Sequence, residues 1–179
     1  MEFYEVDAAR WEDMEHLFQA RGGPKYCWCM VWRRMPKGTS RSDSKAKKEA
    51  LRQRVVDETP IGILGYVDGE PMAWCSIAPR DTYRELGGSK FPADPSNSIW
   101  SIACFYLPRR LRGLGLTRQL IYAALDHARK KGAAVVEAYP VDPDSPSYKF
   151  MGLVSTFEAL GFEEVGRAGT RRHVMRLFL

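Results

Sequence analysis

The sequence predicts a mixed α/β fold, with a mostly antiparallel sheet that contains one parallel β-α-β unit and helices on both faces. The parallel unit is indicated by an apolar run at residues 99–107, an amphipathic pattern at 116–131 and a second apolar run at 134–139. A strand, a helix and a strand joined by short connections form a right-handed crossover with parallel strands. Two hairpin patterns, one around Asp68-Gly69 and one at the end of the chain, indicate the antiparallel part.

The elements before the parallel unit are short. Residues 2–6 alternate as a strand does, and Asp7 is the expected N-cap of a helix that reaches about Arg21. A second helix ends near Asp57 and is rich in Lys and Arg, with the thin apolar stripe that is typical of an exterior helix. The predicted strands of the first hairpin are residues 61–67 and 72–77.

Two less regular stretches complete the chain. Residues 79–97 are polar, and we predict a short helix at 80–86 followed by a loop. After the parallel unit, a helix is predicted over residues 147–160, because Gly161 is in the position of a helix C-cap glycine. The strands of the closing hairpin are predicted at residues 162–165 and 172–178.

The composition is typical of one globular domain spanning residues 1–179. A hydrophobic fraction of 45% provides for a sizeable core, and 179 residues is within the usual length of a single domain. No apolar run approaches the ~18 residues that a membrane helix needs. The N-terminus is acidic and amphipathic, which is unlike a signal peptide. We therefore expect a cytoplasmic protein with no membrane partner.

The cysteines do not form the pattern of a metal site. Cys27 and Cys29 have a single residue between them, whereas zinc sites place two or more between paired cysteines. The other two, Cys75 and Cys104, form no second close pair. We expect reduced thiols and no bound metal.

The chain is basic, with a net charge of +5 and a pI of about 9.1. A solvated basic surface explains this charge, and so does an anionic partner, either a polyanionic cofactor or a nucleic acid. The charge alone does not choose between these explanations. No nucleic-acid recognition motif occurs, so a specific nucleic-acid partner is not expected.

The turn at residues 109–115 favours a phosphate-bearing ligand. Gly113 and Gly115 allow a sharp turn and leave the backbone N–H groups uncovered at the start of the following helix, where the helix dipole is positive. Arginines surround the same corner of the chain: Arg109, Arg110, Arg112 and Arg118. No Gly-Lys-Ser/Thr follows the glycines, and Arg118 stands where a dinucleotide fingerprint needs its third glycine, so both nucleotide motifs are excluded.

This turn resembles motif A of the GNAT N-acetyltransferases, [QR]-x-x-G-x-[GA], which binds the pyrophosphate of acetyl-CoA. We align Arg112 through Thr117 with the motif, where Thr117 replaces the last small residue. A register that starts at Arg110 fits the letters of the motif but places the helix leucines less well. The tail 157–162, FEALGF, resembles the family's Y-x-x-x-G-F pattern, and the ending as a whole is similar to a bacterial GNAT subfamily.

The resemblance implies a GNAT-like fold and an enzyme that transfers the acetyl group of acetyl-CoA to a primary amine of a small molecule or peptide. The amine would attack the thioester directly. The implied partners are acetyl-CoA and the amine acceptor, and a homodimer is one arrangement left open. The residues that the resemblance assigns to cofactor binding are Phe105, Tyr106, Leu107, Arg112, Gly113, Leu114, Gly115, Leu116, Thr117 and Arg118.

The resemblance also implies which catalytic roles must be filled, and it indicates candidate residues for them. The usual acid that protonates the leaving thiolate is the tyrosine of the tail pattern, and Phe157 stands in its place. Tyr148, Tyr139 and Cys104 are the candidate substitutes, and unaided departure of the thiolate is an alternative. Glu137 is the candidate base, acting directly or through water. Ser101 occupies the position of a catalytic carboxylate in some relatives and cannot serve as a base alone.

Two questions stay open at the level of sequence. The aromatic, thiol-rich segment 26–34 is either a core plug or a wall of the acceptor pocket. The missing tyrosine leaves room for a second function, a CoA-binding or anion-binding module on the same fold without transfer. A basic nucleic-acid binder is the third alternative.

Overall fold

The computed structural model describes residues 1–92 and 98–179, and within these ranges it contains seven strands in one sheet and four α-helices. The strands are β1 (Glu2–Glu5), β2 (Ile63–Val67), β3 (Glu70–Pro79), β4 (Ile99–Tyr106), β5 (Val135–Ala138), β6 (Glu163–Ala168) and β7 (Arg172–Phe178). The helices are α1 (Trp11–Gln19), α2 (Ser44–Val56), α3 (Leu116–Lys130) and α4 (Val154–Glu158). Nowhere in the described ranges is a helix long and apolar enough to cross a bilayer.

The sheet has the predicted mixed topology. Its strand order is β1-β2-β3-β4-β5-β7-β6, with antiparallel pairing throughout except for the parallel pair β4 and β5. Alternate residues of β2 and β3 pack on opposite faces: Ile63 and Cys75 face α3, whereas Leu64 and Trp74 face α1 and α2. The expected fold class, with helices on both faces, is therefore confirmed.

The parallel pair separates partway along its length. Pairing runs from Ile99 with Val135 to Ile102 with Ala138, after which β5 ends and β4 continues. On the other side of β4, Ile102 pairs with Ile77 and Cys104 pairs with Ser76, so the residue between them is a bulge. Beyond Ile102, the edge of β4 that faced β5 has no strand partner in the described residues. A cleft opens at this point.

Helix α3 begins and ends as its sequence predicts. Gly115, in the left-handed region at φ 73°, precedes its first residue, and no side chain caps this end. Its buried face is apolar and packs on the sheet, with Leu120, Ile121, Ala124, Leu125 and Ala128. Basic residues occupy its last turn, where they complement the negative end of the helix dipole.

The predicted helix over residues 147–160 is wrong in its first half. The segment contains a 3-10 turn, Lys149–Met151, and the α-helix is limited to Val154–Glu158. Val141 accounts for the difference, because it forms a parallel bridge with Leu153. Val141 N–H donates to the Gly152 oxygen, and Val154 N–H donates to the Val141 oxygen, both with N to O distances of 3.1 Å. A backbone group that is bonded to a neighbouring segment cannot make a helical hydrogen bond at the same time.

The region between β3 and β4 is also less helical than predicted. In place of a helix at 80–86 there is a single 3-10 turn, Arg80–Thr82. A second 3-10 turn, Gly88–Lys90, follows it. The part of the predicted loop at residues 93–97 lies outside the described residues.

A buried ion pair ties this region to the sheet. Glu137 of β5 is fully buried, and its Oε2 accepts a hydrogen bond from Arg176 Nε of β7 at 2.7 Å. The hydroxyl of Tyr139 donates to the other carboxylate oxygen. Arg176 also donates to the backbone oxygens of Gly88, Phe91 and Pro92. Burial and the adjacent carboxylate raise the pKa of Tyr139 well above its usual value, so its hydroxyl stays protonated.

We predict that Glu137→Gln lowers the free energy of unfolding by about 3–5 kcal/mol, because it leaves the Arg176 guanidinium buried without an anionic partner. Urea unfolding of the purified variant measures the change. Asp126→Asn is the control, since it removes an exposed ion pair with Lys130 on α3 and should leave the midpoint within experimental error. Equal midpoints for the two variants would contradict a structural role for the Glu137–Arg176 pair.

Candidate active site

A cavity of about 710 Å³ lies where β4 leaves β5. Three parts of the chain form its walls: the end of β4 with the turn before α3, the segment after α1, and the segment before α4. Its lining residues are Pro24, Cys27, Cys29, Val31, Trp32, Ala103, Cys104, Phe105, Tyr106, Leu107, Leu111, Arg112, Gly113, Gly115, Leu116, Thr117, Lys149, Phe150, Gly152, Leu153 and Thr156.

The turn before α3 presents unpaired backbone donors to this cavity. Gly113 and Gly115 have φ values of 78° and 73°, in the left-handed region that favours glycine. Across the described ranges, the N–H groups of residues 113–117 donate no hydrogen bond. Arg112 stabilises the turn, because its Nε donates to the carbonyl oxygen of Leu107 at 3.0 Å. Free N–H groups at a helix N-terminus form an anion site.

The end of β4 supplies a second set of backbone groups. Residues 103–107 line the cavity. On the side that faces β3, the backbone of Cys104, Phe105 and Tyr106 pairs with that strand. Their other side, which faces the gap left by β5, is open to a ligand. An extended ligand can therefore pair with β4 as a strand would, with the anion site at one end.

The segment after α1 is both a core plug and a wall of the cavity. Trp28 is buried and packs against Phe18, with ring centroids 5.4 Å apart. Cys27, Cys29 and Trp32 line the cavity. Trp28 and Cys29 have φ values of 46° and 52°, an unusual conformation for non-glycine residues. Trp28 therefore fits the core-plug alternative, and its neighbours form a wall of the cavity, whose role in acceptor binding stays a prediction.

The predicted catalytic residues do not come together. Cys104 lines the cavity, and a hydrogen bond with Cys29 together with burial raises the pKa of its thiol well above the usual value. Tyr148 is next to the cavity rather than in its lining, with its ring 6.1 Å from that of Trp32. Glu137 does not line the cavity, and its carboxylate is bound by Arg176 and Tyr139. This geometry argues against the expected role of Glu137 as the base.

The predicted cofactor-binding residues lie closer together than the predicted catalytic residues do. All of them line the cavity except Leu114 and Arg118, which are exposed beside the turn. Phe157, at the position of the expected tyrosine, is fully buried and outside the lining, with its ring centroid 5.0 Å from that of Phe162. No hydroxyl is available from this position.

Sequence reasoning missed the wall that precedes α4. Lys149, Phe150, Gly152, Leu153 and Thr156 line the cavity, although a continuous helix was expected there. Gly152 was the sequence signal that could have indicated a break in the helix. Gly152 has a φ of 94°, and a side chain at this position would come within 2.7 Å of the Phe157 ring.

Charged groups in the lining are basic. Lys149 and Arg112 contribute positive charge, and of the cavity residues that the structure describes none is an Asp, Glu or His. The same described ranges contain no group of three or more His, Cys, Asp or Glu residues able to hold a metal ion. Apart from backbone groups, the lining therefore offers thiols, the hydroxyl groups of Tyr106, Thr117 and Thr156, the Trp32 indole N–H and two cations.

The chain matches the family model described as "Acetyltransferase (GNAT) family" over residues 11–153. No curated protein is detectably similar to it in sequence. Solved structures nevertheless share its fold. The ribosomal-protein-alanine N-acetyltransferase from Brucella melitensis is 16% identical, with a TM-score of 0.59 over 100% of both chains.

Two further structures were solved with the cofactor. The PaiA N-acetyltransferase from Thermoplasma acidophilum, in complex with coenzyme A, is 14% identical with a TM-score of 0.58, over 99% of this chain and 98% of that one. YncA from Salmonella typhimurium, a putative acetyltransferase with acetyl-CoA, is 17% identical with a TM-score of 0.56, over 100% and 94%. At these identities the likeness concerns the fold, whereas the family model covers most of the sequence. The protein therefore belongs to the acetyltransferase (GNAT) family.

Proposed function

We propose that this protein is an N-acetyltransferase that transfers the acetyl group of acetyl-CoA to a primary amine of a small molecule or peptide, by direct attack of the amine on the thioester. One observation carries the proposal: the uncapped start of α3, with its free N–H groups, opens into the same cavity as the unpaired edge of β4. This combination suits a ligand with a diphosphate at one end and an amide-containing chain at the other. Family membership supports acetyl-CoA as that ligand.

Each part of the cavity then has a binding task. The N–H groups of residues 113–117 and the Arg112 guanidinium hold the diphosphate, with Leu114 and Arg118 at its edge. The open side of β4 hydrogen-bonds to the pantetheine amides. A backbone N–H near the bulge between Ile102 and Cys104 stabilises the negative charge that develops on the carbonyl oxygen. The walls at Trp32 and Phe150 are left for the acceptor.

Proton transfer is the less conventional part of the proposal. Since the described lining offers no carboxylate or imidazole, the amine loses its proton through water, and the enzyme acts mainly by positioning the reactants. Cys104, one of the predicted acids, lines the cavity. Its raised pKa keeps the thiol protonated, so we propose that it donates a hydrogen bond to the departing sulfur. Tyr148 is the alternative donor.

The second candidate function is a CoA-binding module without transfer. The burial of Phe157 favours it, because this position provides no proton for the leaving thiolate. Incubation of the protein with acetyl-CoA and a panel of amines, followed by mass spectrometry of the amines, separates the two. An acetylated amine formed in equal amount with free CoA supports the transferase. A rise in Tm with CoA, without acetylation of any amine, supports the module.

We predict that Gly115→Val abolishes the rise in Tm caused by CoA, because a branched side chain covers the free N–H groups and strains a left-handed residue. Gly69→Val is the matched control: Gly69 has a similar φ of 80° and equally open surroundings but lies in the β2–β3 turn. Both substitutions should cost about 1–2 kcal/mol of stability from backbone strain. If CoA protects both variants equally, the diphosphate is bound elsewhere.

We predict that Arg112→Ala weakens CoA binding by roughly tenfold, the loss of one charge-assisted contact, with a smaller effect on kcat at saturation. Isothermal titration calorimetry measures the affinity. Arg129→Ala removes one positive charge from the exposed opposite end of α3, and it should leave the affinity unchanged. Identical losses in both variants would point to net charge rather than a specific contact.

A further inference from the structure

Aromatic rings mark the part of the cavity that the proposed function leaves for the acceptor. The ring centroids of Trp32 and Phe150, two residues of the lining, each lie 6.1 Å from that of Tyr148. Lys149 also lines the cavity and stands between Tyr148 and Phe150 in the chain. The segment before α4 therefore meets the segment after α1 here, and Lys149 lies at this junction.

Further positive charges surround the same rings. The guanidinium of Arg172 lies over Trp32, with its Cζ 4.3 Å from the ring centroid. Arg84 and Arg41 both donate to the backbone oxygen of Val31, at 3.2 and 3.0 Å, and Val31 directly precedes Trp32. With Lys149, four cations thus lie at the acceptor end of the cavity.

These four cations have no carboxylate partner in the described ranges, because none of them takes part in an ion pair there. Glu85, whose charge acts on Arg172, hydrogen-bonds with Ser89 and the Gly87 N–H instead. The described part of the lining contains no Asp or Glu. A second ammonium group on the acceptor would find no carboxylate to bind it, whereas an anionic group would find unpaired cations.

The wall between these charges is apolar. Val31 and Phe150 line the cavity and remain 42% and 36% exposed. Pro24 and Leu153 also belong to the lining. A ligand that covers these side chains gains the free energy of apolar burial. The acceptor end therefore suits a molecule with an apolar body and a negative charge.

We propose that the acceptor is a primary amine that carries an oxyanion, either a carboxylate or a phosphate, on an apolar or aromatic body, and that Lys149 binds the oxyanion. This inference rests on the proposed acetyl transfer and names its substrate class. An apolar amino acid and a short peptide with a free C-terminus both have this chemistry. Polyamines do not.

The transfer to such an acceptor balances without a further reactant. The amine nitrogen forms a bond to the acetyl carbon, the C–S bond breaks, and the proton that the nitrogen loses ends on the CoA sulfur through water. The products are the N-acetylated acceptor and free CoA. Nearby cations disfavour the ammonium form of the acceptor, so they favour the neutral amine in a site whose described lining has no carboxylate or imidazole.

The test compares two pairs of acceptors that differ chiefly in one negative charge: phenylalanine with phenylalaninamide, and glycylphenylalanine with its amide. Mass spectrometry measures kcat/KM for the wild type and for Lys149→Gln. We expect this substitution to lower kcat/KM for the acids about tenfold, the loss of one charge-assisted contact, and to leave the amides little changed. Comparison between variants cancels the different basicities of acid and amide. The phosphonate analogue of phenylalanine shows whether a phosphate-type anion is also accepted.

Lys130→Gln is the matched control, because it removes the same charge from an exposed site at the far end of α3. It should change neither the acids nor the amides. Lys149→Gln should also keep the affinity for CoA in isothermal titration calorimetry, and a loss there would assign Lys149 to the cofactor and overturn the proposal. Equal effects of Lys149→Gln on acids and amides, or faster acetylation of spermidine than of phenylalanine, would overturn it as well.

A binding measurement distinguishes failure of this proposal from failure of the acetyltransferase function. N-acetylphenylalanine and N-acetylphenylalaninamide, the products of the first pair, are titrated into the protein saturated with CoA. Tighter binding of the acid that is lost in Lys149→Gln, without acetylation of any amine, would support the oxyanion site and contradict the transferase. Acetylation of acids and amides alike would support the transferase and contradict the oxyanion site. No preference for the acid in either measurement overturns the proposal.

Discussion

The short parallel pairing of β4 with β5 is the constraint on which the rest of the site depends. Four residue pairs hold the strands together, and the pairing ends at Ile102 and Ala138. The bulge in β4 directly after this point turns the free end of the strand away from β5. A longer β5 would satisfy the backbone of β4 and close the cleft. The cavity therefore exists because one strand stops early while its neighbour continues.

Buried charges hold irregular segments against this sheet on both sides of the cleft. Arg176 binds Glu137 and the carbonyl oxygens of the segment between β3 and β4. Arg33 binds Ile61 and Ser76 and so attaches the segment after α1 to β3. A guanidinium offers five donors in a fixed plane, which suits the scattered carbonyl groups of loops. Both loops lack the regular hydrogen bonds that would hold them otherwise.

In the function proposed above, backbone groups do most of the ligand recognition. The proposed anion site consists of the unpaired N–H groups at the start of α3, and the proposed site for the extended part of the ligand is the open edge of β4. Neither requires a particular side chain, apart from the conformational freedom of Gly113 and Gly115. Structures with only 14–17% identity share the chain's architecture, and a site built from backbone groups is compatible with such divergence.

The sequence by itself determined the β-α-β unit, both hairpins and the glycine turn before α3, because hydrophobic period and glycine placement are local properties. It did not determine that Val141 would bridge Leu153 and interrupt the helix expected over 147–160. Nor did it determine that Arg176 would bind Glu137, since these partners are distant in the chain. Hydrogen bonds and ion pairs between distant segments form only once the sheet has set their positions. The scaffold could therefore be predicted from the sequence, whereas tertiary contacts decided the chemical state of the buried groups.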